Sequence, residues 1–457
     1  MTATGAPAAT QSVRRIKPAR RLAGVLRIPG DKSISHRCLM MAAGAHGESV
    51  ITGLGTGADI QSTRNVLGRL GAKFRDEDDR VHVEGVGPRG WAHTSDPLDC
   101  GNSGTTLRLL AGLLAGSSHR YTLTGDASLV SRPMERVAQP LSRMGVHIDL
   151  TPEGTAPLVM RGGSLKPTDC VLEVASAQVK SAILLAALSA DGVTTVREPV
   201  PTRDHTEILL THLGLPLSAE PVILEVETDD PRRRSTTKRS DERVITVKGP
   251  CQWEGFEYTV PGDPSTAAFF AAAAILVRKS DVRLPGICAN PTRIGLFSLL
   301  SAMGARIQWE HRKTVGGEST GDLVVGPAKL AARKVSGRVI PRIIDELPIL
   351  AVLATQAEGT TVIRDAAELR HKESDRIELV AANLRRMGAK IGALEDGWAI
   401  EGPTPLSGCD IETGGDHRIA MAFAVAGLVA DGETQLDDAN CVSISCPGFF
   451  DMLDGLR

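Results

Sequence analysis

"PGDKSISHRCLMMAA", residues 29–43, sets a lysine, two serines, a histidine and an arginine between positions 32 and 37, directly ahead of an apolar run. A helix cap explains part of this, because Asp31 or Ser33 would accept hydrogen bonds from the first free backbone N–H groups. It does not explain Lys32 and Arg37, since cations are disfavoured at the positive end of a helix dipole. Cations gathered at such an end point to an anion bound among them.

The stretch is the first of six copies. The same polar opening and small-residue helix recur as "NSGTTLRLLAGLLAG", "SAQVKSAILLAALSADG", "DPSTAAFFAAAAILV", "DELPILAVLATQAEG" and "GDHRIAMAFAVAGLVADG". Counted from Asp31, Asn102, Ser176, Asp263, Asp345 and Asp416, the steps are 71, 74, 87, 82 and 71 residues. After each copy comes a short β-type run: "SVITGL", "YTLTGD", "TTVREP", "DVRLPG", "TTVIRD" and "TQLDDA". A second helix follows, ending in most copies at a turn such as "LGRLGAKF", "LSRMGVHI", "LSAMGARI" or "LRRMGAKI". The glycine there suits the position just past a helix end. A closing strand often runs into Gly-Pro, as in "VEGVGP", "VKGP", "VVGP" and "IEGP". Each unit reads β-α-β-α-β-β in some circular order.

The first helices are apolar nearly all round, as helices buried in a domain interior are. Their polar starts must therefore emerge at one end of each domain. Six units divide into three and three, giving two similar α/β domains. The junction falls near "VPGDPS", where Pro261, Gly262 and Pro264 interrupt the pattern. The longest step holds "TDDPRRRSTTKRSDER", residues 228–243, a charge run that reads as a solvated loop or β-hairpin tip.

The bulk numbers narrow the function classes. With 457 residues, 42% of them hydrophobic, the chain can bury more than one core. Net charge is −2, from 52 basic and 54 acidic residues, without the basic surplus of a general nucleic-acid binder. An anionic substrate must then be met by a local cluster. The eight cysteines (38, 100, 170, 251, 288, 409, 441 and 446) form no CxxC pair, which suits free buried thiols in a reducing compartment. No apolar run is long enough for a transmembrane helix. "MTATGAPAATQSVRRIKPAR" has no apolar core of a secretory signal and reads as a disordered tail, which with the cysteines places the protein in the cytoplasm.

If the six buried helices aim their starts into the space between two domains, that cleft gathers positive dipole ends. Copy one brings Lys32, Ser33 and Arg37 there. Copy two, in "LDCGNSGTTLR", brings Gly101 and Gly104, which let backbone N–H groups approach a ligand closely. Copy three brings the neutral donors Ser176 and Gln178. Copy five brings Asp345 and Glu346, a pair that could equally cap the helix, and copy six brings Asp416, His417 and Arg418. The second helices add Arg132 in "SRPMERV", Arg203 in "PTRDHTE", and Lys372, Glu373 and Arg376 in "ELRHKESDR". One such arginine alone reads as a solvated or salt-bridged side chain. Basic residues at corresponding places in successive repeats imply a site for two or more anionic groups. Asp345 and Glu373, carboxylates amid these cations, are candidates for proton transfer, since the motifs hold no Cys/His pair or metal-ligand spacing. The residues alone describe a two-domain enzyme for phosphorylated or carboxylated small molecules, using neither metal nor cofactor.

These stretches resemble the 5-enolpyruvylshikimate-3-phosphate synthase family. The matching motifs are "PGDKSISHR", "GNSGTTLR", "SRPMERV", "ASAQVKSAILLAAL", "TRDHTE", "VPGDPSTAAFF", "ELRHKESDRI" and "DHRIAMAF", in family order from about residue 20 to the end. The resemblance implies an α/β (α+β) fold of two domains, each of three β-α-β-α-β-β units with buried helices, an inverse α/β barrel-like arrangement. It implies a chain that starts in one domain, crosses to the other and returns, so that 1–28 plus 263–457 form one domain and 29–262 the other. The active site would lie in the cleft between them. The implied reaction moves the enolpyruvyl group of phosphoenolpyruvate to the 5-hydroxyl of shikimate 3-phosphate and releases phosphate. Carried over by position, Lys32, Ser33, Arg37, Ser176, Gln178, Arg203, Asp345 and Lys372 would hold shikimate 3-phosphate. Lys32, Gly104, Arg132, Gln178, Arg376 and Arg418 would hold phosphoenolpyruvate. Asp345 would be the base for the 5-hydroxyl and Glu373 the acid for the enol carbon, with Lys32 assisting, in a monomer. Some members have a lysine in a C-terminal "TFP"-like motif, where this chain reads "SISCPGFF" with Ile444 near that position. Gly104 stands where some herbicide-insensitive members have alanine, a single residue that leaves glyphosate sensitivity open.

The nearest rival is the sister transferase acting on UDP-N-acetylglucosamine, which usually opens with a "KN" pair and carries a reactive loop cysteine. Here "KSISHR" and "TRDHTE" disfavour it, and Cys100, just before the glycine loop, reads as a small packed residue. A nucleic-acid use of the repeat, as in RNA 3′-phosphate cyclase-like proteins, is disfavoured by the charge balance and by only 3% aromatic residues. A non-catalytic binder of the same fold would not need both carboxylates.

Overall fold

The computed structural model describes residues 12–226 and 236–457. Most of the expected N-terminal tail and the tip of the 228–243 charge run lie outside the described residues. The strands leading to that tip are a hairpin, Leu217–Val226 against Thr236–Gly249, with Val226 paired to Thr236.

Each repeat builds one sheet, five of four strands and one of three among the described residues. The second repeat shows the plan. Leu98–Asp99 lies parallel to Arg120–Thr124, the helix Gly104–Leu113 crosses between them, and Leu158–Arg161 and His147–Asp149 complete the sheet antiparallel. Parallel neighbours need such a crossover, and the apolar helix fills it.

Three sheets take a strand from a distant part of the chain. The first repeat completes Glu48–Thr52 with Glu257–Thr259. The fourth completes Asp281–Cys288 with Ala23–Val25, and the sixth adds Arg14–Ile16 to Thr434–Leu436. The expected tail is thus a strand from Arg14 onward, because it fills an open sheet edge and buries Ile16 at 2% exposure.

Two separate hydrophobic cores result. One joins residues between Ile34 and Val260 with Cys288; the other joins Ile16, Leu22 and Ile28 with residues between Ala267 and Leu456. The chain passes between them twice, side by side. Gly30 pairs with Gly262, the Asp31 N–H donates to the Pro261 carbonyl at 2.8 Å, and the Asp263 N–H to the Pro29 carbonyl at 3.0 Å. A side chain on Gly30 would place its Cβ 2.0 Å from the Gly53 carbonyl oxygen, so only glycine fits that crossing.

The buried helices are Lys32–Ala43, Gly104–Leu113, Ala177–Ala187, Pro264–Leu276, Leu347–Ala354 and His417–Gly427. Small residues let them pack closely: a Cβ on Gly112 would lie 2.1 Å from the Ala182 carbonyl oxygen of the neighbouring helix. Among the described residues, no helix is long and apolar enough to cross a membrane. Seven of the eight cysteines are buried and Cys409 is half-buried, all as free thiols.

Candidate active site

Side chains cap most of these helices at their starts. Asp31 Oδ1 accepts from the Ile34 N–H at 2.8 Å, which makes Asp31 rather than Ser33 the cap of the first helix. Ser103, Ser176, Asp263 and Asp416 cap four others. The fifth start differs. Ile344–Glu346 is a 3-10 turn with no side-chain cap, and this leaves the Asp345 carboxylate to face the other domain.

There Arg203 Nη2 donates to Asp345 Oδ2 at 2.6 Å, joining the "PTRDHTE" stretch to the fifth helix start. A cavity of about 40 Å³ lies beside this pair, walled by Lys32, Ser33 and Arg203 from one side. Asp345, Glu373, Arg376 and Arg418 wall it from the other, with Asp263, Ser265, Arg293 and His417. Eight residues singled out in the sequence, His417 among them, therefore meet at one place.

The local electrostatics follow from this crowding. Arg376, only 1% exposed, donates to Glu373 Oε2 at 2.7 Å and through Nε to Asp416 Oδ2 at 2.8 Å. Burial works against charge on Asp345, but Arg203 and Lys372 outweigh it and hold the carboxyl well below the ordinary range. Glu373 is likewise held low against its burial, chiefly by Arg376, with Arg132 and Lys32 adding to it. His417 is pushed down to about 3 by burial and by Arg418, so it is neutral near pH 7. Arg418 is 4% exposed, and its Nη1 has no hydrogen-bond partner among the described residues. A buried guanidinium nitrogen left open on a cavity wall is a place for an anion.

Four more residues from the sequence reading stand around the second and third helix starts. Gln178 accepts from Arg108 at 2.7 Å and donates to Thr105 at 2.9 Å, while Arg132 donates to Asn102 at 2.7 Å. A Cβ on Gly104 would lie 2.8 Å from Arg108 Nη1 and 3.5 Å from Arg132 Nη1, which puts this loop against two guanidinium groups. Ser176 spends its hydroxyl on the Val179 N–H at 3.4 Å. The other two are held by their own neighbours. Lys372 pairs with Glu368 at 3.0 Å. Arg37 lies one turn behind Ser33, where it donates to Thr206 at 2.7 Å, Ser181 at 2.6 Å and the Ser33 carbonyl at 2.8 Å.

Three residues escaped the sequence reading. Asp59 holds the Lys32 ammonium at 2.8 Å, Arg108 shares Gln178, and Arg293 joins two helix caps. Arg108 stands inside the quoted "GNSGTTLR" motif and was legible there. Arg293 closes a Pro-Thr-Arg run at 291–293 that repeats the 201–203 run ending in Arg203, a signal that could have found it, whereas nothing in the sequence marks Asp59.

A two-domain shell of six β-α-β-α-β-β repeats around a cleft of this charge is the enolpyruvyl transferase fold. The structure matches the enolpyruvyl transferase NikO from Streptomyces tendae with a TM-score of 0.72, at 21% identity over 97% of each chain, a likeness of fold. It matches EPSP synthase from Acinetobacter baumannii with a TM-score of 0.83, at 38% identity over 98% of each chain. The family described as EPSP synthase (3-phosphoshikimate 1-carboxyvinyltransferase) matches residues 16–453. Relatives named 3-phosphoshikimate 1-carboxyvinyltransferase include one from Gloeobacter violaceus, 48% identical over 97% of this chain and 98% of its own. Another, from an Anaeromyxobacter species, is 47% identical over 95% and 96%. The chain belongs to the EPSP synthase family.

Proposed function

We propose that this protein transfers the enolpyruvyl group of phosphoenolpyruvate to the 5-hydroxyl of shikimate 3-phosphate, with release of phosphate. The observation that carries this reading is the meeting of Lys32, Arg203, Arg376 and Arg418 with two carboxylates, Asp345 and Glu373, on one cavity. Membership of the family supports it, as does the name its relatives carry.

In this reading Ser33, Arg37, Ser176, Gln178, Arg203 and Lys372 hold shikimate 3-phosphate. Gly104, Arg132, Gln178, Arg376 and Arg418 hold phosphoenolpyruvate, and Lys32 lies between the two. Asp345 takes the proton of the 5-hydroxyl as that oxygen attacks the central carbon of phosphoenolpyruvate. Glu373 delivers a proton to the methylene carbon, giving a tetrahedral intermediate. Loss of phosphate from it, which takes the proton held by Asp345, with return of a methyl proton to Glu373, yields the enol ether. Glu373 must carry a proton for the first step. A bound phosphoenolpyruvate, anionic itself, offsets the cations that hold the carboxyl low and so raises its proton affinity. The same cations, fixed before the reaction, stabilise the charge that develops on the intermediate.

A cavity of about 40 Å³ is too small for both substrates, so in this reading they enter as the domains part and Arg203 leaves Asp345. Closure then remakes the site and expels water. The domain division runs between residues 28 and 29 and between 262 and 263, along the two crossings. Buried free thiols fit the reducing cytoplasm. The rival acting on UDP-N-acetylglucosamine would need a reactive cysteine. Cys100 is fully buried, and burial with Asp99 nearby pushes its thiol far above the ordinary range.

Phosphate release is measured with both substrates, without added metal, for the wild type beside Glu373→Gln. Release should require both substrates and fall at least about a hundredfold in the variant. Release with UDP-N-acetylglucosamine in place of shikimate 3-phosphate would move the protein to the sister activity. Silence with both acceptors would leave a binding protein.

A further inference from the structure

Arg293 stands in the turn Asn290–Ile294, between the strand Asp281–Cys288 and the helix Gly295–Ala302. It is 3% exposed. Its Nη1 donates to Asp31 Oδ2 at 2.5 Å, and its Nη2 to Asp263 Oδ1 at 3.2 Å and Ser265 Oγ at 2.9 Å. Asp31 and Asp263 are the caps of Lys32–Ala43 and Pro264–Leu276, helices that belong to different cores. Asp263 Oδ2 also accepts from the Lys32 backbone N–H at 3.1 Å. One guanidinium therefore ties together the two helix starts at the place where the chain crosses between domains.

The same turn grips the stretch that carries Arg203. Asn290 Nδ2 donates to Asp204 Oδ1 at 2.8 Å and to Glu318 Oε2 at 3.0 Å. His205 Nδ1 lies 2.6 Å from Glu318 Oε1, and its Nε2 lies 3.3 Å from Arg293 Nη1. Arginine only donates, so Nε2 accepts and Nδ1 carries the proton given to Glu318. Lys32 and Arg203, the two cations that one domain brings to the cavity shared with Asp345 and Glu373, are thus both indexed to this turn.

We propose that Arg293 is a positioning residue of the transfer reaction: it fixes the Lys32 helix start against the Asp263 helix start and so places Lys32 and Arg203 opposite Asp345. The inference rests on the proposed reaction. Its physical content is geometric. A guanidinium reaches both carboxylates at once through a planar fork, whereas an ammonium supplies the charge without the fork. Arg293→Lys keeps the charge balance of the buried cluster but loses the tie between the two helix starts. Small misplacements of reacting groups cost up to about a hundredfold in rate.

The test compares the wild type with Arg293→Lys. It measures the melting temperature, the dissociation constant of shikimate 3-phosphate alone, and kcat per titrated active site. We expect Arg293→Lys to melt near the wild type and to bind shikimate 3-phosphate within about threefold, yet to lose at least about tenfold in kcat. A kcat within twofold of the wild type would overturn the proposal and leave Arg293 a strut. Binding weakened as much as kcat would also overturn it, making Arg293 a ligand contact. If Arg293→Lys does not fold, the double variant Asp31→Asn with Arg293→Gln keeps a capping side chain and is read by the same kcat criterion. A silent wild type is a different result: it overturns the reaction, and this inference with it.

Discussion

Asp345 and Glu373 show how position sets the role of a carboxylate. Both are acids in a crowd of cations, but Asp345 sits at a helix start that lacks a cap and reaches across to Arg203, whereas Glu373, in the bend just ahead of the helix Arg376–Arg386, is clamped by Arg376 three residues on. Asp345→Ala removes the proposed base and frees Arg203. Phosphate release should fall at least about a hundredfold, and the dissociation constant for shikimate 3-phosphate, followed by calorimetry, should rise about tenfold. His36 offers a test of stability instead. Burial first, then Lys32 and Arg37, hold its pKa well below the ordinary histidine value. The unfolded chain therefore binds a proton that the folded protein refuses, and stability falls as pH drops below about 6.5. The slope from this residue is at most about 1.4 kcal/mol per pH unit. Urea unfolding at several pH values between 7 and 5 should show a shallower fall in His36→Gln than in the wild type. At this scale the repeated basic motifs made much of the cavity wall legible. Arg293 shares a Pro-Thr-Arg run with Arg203, which marks its place, but the run does not tell an arginine facing the cavity from one locked between two caps.

The repeated element was the clearest signal in the sequence, and the structure supplies its reasons. The apolar helices with polar starts are buried on every side; four are crossovers between parallel strands, while Lys32–Ala43 and Pro264–Leu276 carry the chain from one sheet into another. Two of the Gly-Pro endings have a steric cause against backbone: a Cβ on Gly249 would lie 2.3 Å from the Ala187 carbonyl oxygen and one on Gly402 2.5 Å from that of Ala357, at or just past a helix end. Gly112 follows the same rule between two helices. Gly112→Ala should lower stability by about 1–3 kcal/mol in urea unfolding, since a backbone carbonyl cannot move aside as a side chain can. Phosphate release per active site should stay within twofold, because Gly112 lies in the helix interior, well past the start at Gly104. The short completing strands were illegible for a physical reason. Three residues such as Arg14–Ile16 carry too little alternation to show a period, and their identity as strands comes from the edge they fill.

For the whole molecule, the borrowed strands make the two domains unequal. Residues 29–262 contain every strand of their three sheets, including Glu257–Thr259. Residues 263–457 lack Ala23–Val25 and Arg14–Ile16, which complete two of theirs. A fragment of 29–262 should unfold cooperatively by circular dichroism. A fragment of 263–457 should do so only when a peptide covering residues 12–28 is supplied. Cooperative folding of 263–457 alone would show that the edge strands are dispensable.

That inequality also sets a timetable on the ribosome. Ala23–Val25 leaves the exit tunnel early, yet the strand it pairs with, Asp281–Cys288, is translated about 250 residues later. At about 5–20 residues per second the wait is roughly ten to fifty seconds. During that interval the 29–262 domain can be finished while its leading segment hangs unpaired from one end. The newborn chain is a folded head on an incomplete stem, and the cleft cannot form until the last repeats emerge and take up the strands made first.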